Sequence, residues 1–77
     1  MISYTIMLNT INDVKQFVNT VTKYDYDIDL VSGRYAIDAK SIMGIFSLDL
    51  TKPLTVVIHN KDEEEKFKAE MAAFLID

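Results

Sequence analysis

Tyr24-Asp25-Tyr26-Asp27-Ile28-Asp29-Leu30 alternates apolar and acidic side chains without a break. Successive side chains of a strand point to opposite faces, so this spacing sends three carboxylates toward water and the aromatic and aliphatic groups toward a core. An antiparallel sheet with one wet face has this pattern. The strand is expected to begin near Tyr26. Ser32-Gly33 follows as a tight turn, because Gly supplies positive φ cheaply, and Arg34 to Asp38 reads as the returning strand of a hairpin.

Working outward toward the N-terminus, the period changes. Ile11, Val14, Val18 and Val21 recur at three and four, with Phe17 beside them, which describes one face of a helix. Thr10 followed by Asp13 forms a capping box, with Thr10 as N-cap. Before it, Ile2, Tyr4, Ile6 and Leu8 alternate with Ser3, Thr5 and Met7, a half-buried strand. In the other direction, Ser41 is a good N-cap for a short apolar helix ending near Asp49-Leu50. Thr51-Lys52-Pro53 is a loop, since Pro53 lacks an N–H and restricts its predecessor. Leu54 to Ile58 is a β-branched run and a fourth strand. Asn60 is expected to open the last helix, with Phe67, Met71, Phe74 and Leu75 as its buried stripe. Asp62–Lys66 and Glu64–Lys68 are its i,i+4 pairs, and Asp62 to Glu65 suit the positive end of its dipole. The order β-α-β-β-α-β-α predicts an α+β, two-layer fold with the helices on one face of the sheet.

Composition bounds the function. With 77 residues the chain is expected to be one domain over residues 1–77, and 49% hydrophobic residues are enough to build a core. The absence of cysteine excludes thiol chemistry and disulfides, and a single histidine excludes most His-based metal sites. Eight basic residues against twelve acidic ones, net −4, argue against nucleic acid as a partner. No apolar run approaches the roughly 20 residues of a membrane helix. The first five residues carry no basic cluster ahead of an apolar block, so no signal peptide is expected and the location is expected to be cytoplasmic.

Among candidate residues, His59 sits between the fourth strand and the last helix with no organised nucleophile beside it, which favours a surface or helix-entry histidine over a catalytic one. Asp62 to Glu65 point in different directions on a helix and cannot converge on a metal. Asp25, Asp27 and Asp29 share a face about 7 Å apart without further ligands, and read as a solvated sheet face or edge protection. Ser41 to Leu48 is richer. Ile42, Met43, Ile45, Phe46 and Leu48 crowd a short helix around Gly44, and such a helix buries only one side. Either some of them form an exposed partner-binding patch or the small domain wraps them into its core, and the residues alone leave both open.

Lys40-Ser41-Ile42-Met43-Gly44-Ile45-Phe46-Ser47-Leu48 resembles the most recognisable segment of HPr, the histidine-containing phosphocarrier of the bacterial sugar phosphotransferase system. Lys23 to Leu30 is similar to the stretch entering that family's second strand, at a family-like separation. The resemblance implies an antiparallel sheet of order 1-4-2-3. It is close from Lys23 to Leu50 and looser elsewhere. The family carries phosphate on a histidine within a His-Ala-Arg-Pro-Ala pattern at the start of the first helix. Ungapped alignment puts Thr10-Ile11-Asn12-Asp13-Val14 there, with Thr10 for the histidine and Asn12 for the arginine.

A carrier needs an imidazole nucleophile and a guanidinium to neutralise phosphate; here both are missing and Asp13 adds negative charge. In the family's sheet the end of strand four lies beside the start of strand one, so His59 is expected at the wrong end to substitute. Ser41 matches the serine phosphorylated by HPr kinase/phosphorylase in low-GC Gram-positive relatives, after which the protein binds a transcriptional regulator. The bland alternative is a plain helix cap. The resemblance thus implies a non-enzymatic regulatory or interaction module without a catalytic residue, metal or cofactor, in which Ser41 is the phosphorylation site and Ile42, Met43 and Phe46 the docking patch. Its expected partners are phosphotransferase-system proteins, the kinase/phosphorylase or a regulator, and its expected state is a monomer or weak homodimer. The alternatives are a component that docks carrier partners without phosphate transfer and an unconventional phosphocarrier.

Overall fold

The computed structural model describes residues 2–60 and 62–76. Along the chain run β1 (Ile2–Ile6), α1 (Ile11–Val21), β2 (Ile28–Ser32), β3 (Tyr35–Asp38), α2 (Ile42–Phe46), β4 (Leu54–Ile58) and α3 (Glu64–Met71). The strands form one antiparallel sheet of order β1-β4-β2-β3. Ile2 faces Ile58 and Ile6 faces Leu54 across β1 and β4, while Ile28 faces Ile58 across β2 and β4. Period two then dictates the burial. Ile6, Ile28, Leu30, Leu54, Val56 and Ile58 point to the packed face, and Ser3, Thr5, Asp29 and Val57 to the other.

Helices cover the packed face. α1 contributes Val14, Phe17 and Val21, α2 contributes Ile45, and α3 contributes Phe67 and Met71, all in one cluster with the sheet. Phe17 meets Phe74 edge-on at 5.9 Å between centroids, and Tyr24 meets Phe67 the same way at 5.2 Å. Among the described residues no buried side-chain nitrogen or oxygen lacks a hydrogen-bond partner.

Several local expectations need correction. Ile11 is exposed, and Val18 is only half-buried. Ile11 occupies the first helical position, where the chain has just turned away from the sheet. β2 starts at Ile28 rather than Tyr26, so Asp25 and Asp27 lie in the bend before it. β2 is also an interior strand, so Asp29 protects no edge. The hairpin turns on Gly33 and Arg34, with Gly33 at φ +60 and β3 beginning one residue later than Arg34. α2 is shorter than expected: Ser47 and Leu48 already donate to the carbonyls of Gly44 and Ile45, tightening the chain before Asp49.

α3 does not open at Asn60. The Asn60 side-chain oxygen accepts from the Asp62 N–H at 2.8 Å, which makes a turn, and the helix starts only after Glu63, at φ 63. Lys66 then pairs with Glu63 at 3.4 Å, in place of the i,i+4 partners expected. Phe74 and Leu75 are buried and half-buried beyond the helix, where the Phe74 carbonyl accepts from the Met7 N–H and Leu75 bridges to Ile6.

Candidate functional site

The start of α1 carries the residues on which a phosphocarrier reading turns. Thr10 is extended, and its hydroxyl accepts from the Asp13 N–H at 3.0 Å. The Asp13 carboxylate reaches back to the N–H groups of Thr10 at 3.2 Å and Asn9 at 3.0 Å. A helix start normally offers such amides to an external anion. Here an internal carboxylate takes two of the neighbouring amides, and the Thr10 hydroxyl is committed to a third.

α2 is capped in a related way. Ser41 is extended, its hydroxyl accepts from the Gly44 N–H at 3.2 Å, and its own N–H donates to the Asp38 carbonyl. Gly44 lets the turn close tightly, since a Cβ there would lie 3.2 Å from both the Ser41 hydroxyl and Ile37. The five-residue helix splits the apolar crowd by direction. Ile45 is fully buried and Ile42 half-buried, while Met43 is 76% exposed and Phe46 42% exposed. Met43 and Phe46 therefore point outward and are not wrapped into the core. α1 and α2 pack against each other, so both capped helix starts belong to one side of the sheet.

His59 lies elsewhere. β4 is antiparallel to β1, and His59 follows the Ile58 that faces Ile2, whereas Thr10 follows the opposite end of β1. The His59 Nε2 is 2.9 Å from an Asp29 carboxylate oxygen on the open face of the sheet, with both side chains about half exposed. Among the described residues no three His, Asp or Glu side chains gather around a metal position, and no helix is long and apolar enough to cross a membrane.

A family profile described as "PTS HPr component phosphorylation site" matches residues 12–77. The chain belongs to the HPr family. Among solved structures it is similar to HPr-C-His from Thermoanaerobacter tengcongensis, with 29% identity, a TM-score of 0.77, and coverage of 94% of this chain and 89% of that one. It shares its fold with phosphocarrier protein HPr from Bacillus anthracis str. Ames at 23% identity and a TM-score of 0.73, covering 95% of each chain. No curated protein matches it significantly. The strand order and the three helices on one face are those of the HPr fold.

Within this HPr-family chain, Thr10 caps α1 and Asn12 lies in its first turn, Ser41 caps α2, and Ile42, Met43 and Phe46 lie on α2; the two helices adjoin. Two features escaped the sequence reading. The exposure of Ile11 had a signal: it stands next to the cap, where a side chain has not yet turned onto the sheet. The His59–Asp29 contact was also recoverable once β2 was set beside β4, because Asp29 faces Val57 and His59 is the next residue on the same face.

Proposed function

We propose that this HPr-family chain, taken as one domain over residues 1–77, is a regulatory or interaction module rather than a relay of phosphate. The observation that supports this most directly is the Thr10–Asp13 box. Thr10 stands where the family pattern has its histidine, has no adjacent base to activate it, and already uses its hydroxyl as a cap. The Asp13 carboxylate occupies the Asn9 and Thr10 amides and sets a like charge against an arriving phosphoryl group. Asn12 supplies no guanidinium.

Ser41 is the residue assigned to control, through phosphorylation by an HPr kinase/phosphorylase. A phosphate there extends from a half-buried cap without displacing a core side chain, so the fold persists and the surface changes. Met43 and Phe46, with the partly covered Ile42, supply the apolar contact for phosphotransferase-system proteins or a transcriptional regulator. A cytoplasmic location belongs to the same reading. The exposure of Met43 and Phe46 equally favours a second reading, docking to carrier partners without phosphate transfer.

Incubation with phosphoenolpyruvate and enzyme I should leave no acid-labile phosphate on the wild-type chain, and the Thr10→His, Asn12→Arg variant should gain some. Carrier-like labelling of wild type at His59 overturns the proposal. Kinase labelling should disappear in Ser41→Ala; labelling equal to wild type returns Ser41 to a plain cap. Binding to enzyme I without any effect of Ser41 phosphorylation selects the second reading.

A further inference from the structure

A cleft of 620 Å³ lies between the β2–β3 turn and the segment joining α2 to β4. It is far from His59 along the sheet, and none of its lining residues belongs to the Thr10 box or the Met43–Phe46 patch. Its volume falls in the range of roughly 300–1,000 Å³ typical of small-molecule sites. Half-buried Ile37 and Leu48 form an apolar floor, and the Tyr35 ring stands beside it, 66% exposed.

The charge around this cleft runs against the charge of the chain. Arg34, the sole arginine, lies at the turn and makes no ion pair among the described residues. Lys52 faces it from the other wall. The one carboxylate present, Asp49, is occupied: one oxygen accepts from the Thr51 N–H at 3.0 Å and hydroxyl at 2.5 Å, and the other is 4.0 Å from Lys52. A protein of net charge −4 thus keeps an unpaired guanidinium and an ammonium beside exposed apolar surface.

We propose that this cleft binds a small organic anion: an apolar or planar body carrying one phosphate or carboxylate. The body covers Ile37, Leu48 and the face of Tyr35, and the head group takes the two-pronged donor array of Arg34 with Lys52 as a second charge. Inorganic phosphate satisfies only the cations and leaves the floor wet, so it binds less well. An acidic peptide would match the charge but has little to place on an apolar floor of this size.

The test uses the full-length protein labelled with nitrogen-15 and titrated with phenyl phosphate, inorganic phosphate, phenol and a tetraglutamate peptide. Phenyl phosphate should shift the amide signals of Gly33, Tyr35 and Leu48 saturably in the millimolar range, with inorganic phosphate and phenol both weaker. Arg34→Gln should weaken phenyl phosphate about tenfold and Lys52→Gln several-fold, as expected for losing a charge-assisted contact at an open site. Both side chains are exposed, so the variants keep the wild-type amide spectrum, and Lys15→Gln on α1 serves as the unaffected control. The proposal is overturned if phenyl phosphate gives no saturable shift, if Arg34→Gln binds it equally well, or if the shifts fall on the start of α1 or α2. Tighter binding of the peptide at the same amides replaces the small ligand with an acidic protein segment.

Discussion

Asp13 satisfies two backbone N–H groups with one carboxylate oxygen, and Thr10 returns the bond. Thr10→Ala should cost about 1 kcal/mol in urea denaturation, as other N-cap losses do. Combining it with Asp13→Ala should cost less than the sum of the two single changes, because each removes half of one reciprocal motif. A second carboxylate, Glu70, works across the fold: it accepts from Lys23 at 2.7 Å and from the Tyr24 hydroxyl. The Lys23 contact and then the tyrosine bond hold Glu70 below its ordinary value of 4.5. Its contribution is therefore complete above 4.5 and is lost as pH falls through the lowered native value. Tyr24 is shifted the other way, upward from 10.0, first by burial and then by Glu70, so its contribution is lost as pH rises above 10. Glu70→Gln should flatten the acid limb of a plot of urea midpoint against pH; an unchanged limb means that other carboxylates set it. The capping box was legible in the sequence because its partners are three residues apart. The Tyr24–Glu70 bond joins residues 46 apart, and no local pattern announces it.

Two elements begin or end on left-handed backbone, and they differ in what fills it. Gly33 turns the β2–β3 hairpin at φ +60 with open space around its missing Cβ. Gly33→Ala should therefore destabilise by about 1 kcal/mol through the backbone alone, with no clash. Glu63 holds φ 63 before α3 without the freedom of glycine and makes no side-chain cap. Glu63→Gly should stabilise the fold by a few tenths to about 1 kcal/mol, even after losing the exposed contact with Lys66. Thermal melts of the two variants should move in opposite directions. The element types were legible because period two and period three to four alternate cleanly along the chain. The start of α3 was misjudged because Asn60 serves as well for a turn as for a cap, and only the placement of Asp62 decides between them. The end of α2 was misjudged because apolar residues continue through Leu48, while the backbone tightens two residues earlier.

In the whole molecule, one side of the sheet carries the core and the other is open, so the same residue type has opposite consequences at neighbouring positions. Ile45→Ala, in the core, should cost roughly 2–5 kcal/mol. Met43→Ala and Phe46→Ala, on the outward side of the same helix, should each stay within about 1 kcal/mol while weakening any docking partner. A Phe46→Ala loss as large as that of Ile45→Ala would place Phe46 in the core. The sheet order gave the sequence reading its longest reach, and it came from the Lys40–Leu48 resemblance rather than from periodicity, which says nothing about which strands are neighbours. The cleft at Arg34 and Lys52 stayed hidden for that reason, since its walls are 18 positions apart and meet only when α2 folds back over β3. The neighbours of β1 are β4 on one side and, on the other, residues 74–76, through the Met7–Phe74 and Ile76–Thr5 backbone bonds. During synthesis β1 is thus made before both of its partners. At ordinary translation speeds its edges stay unpaired for several seconds. A nascent chain therefore carries an open outer edge on β1 until residues 74–76 have been made.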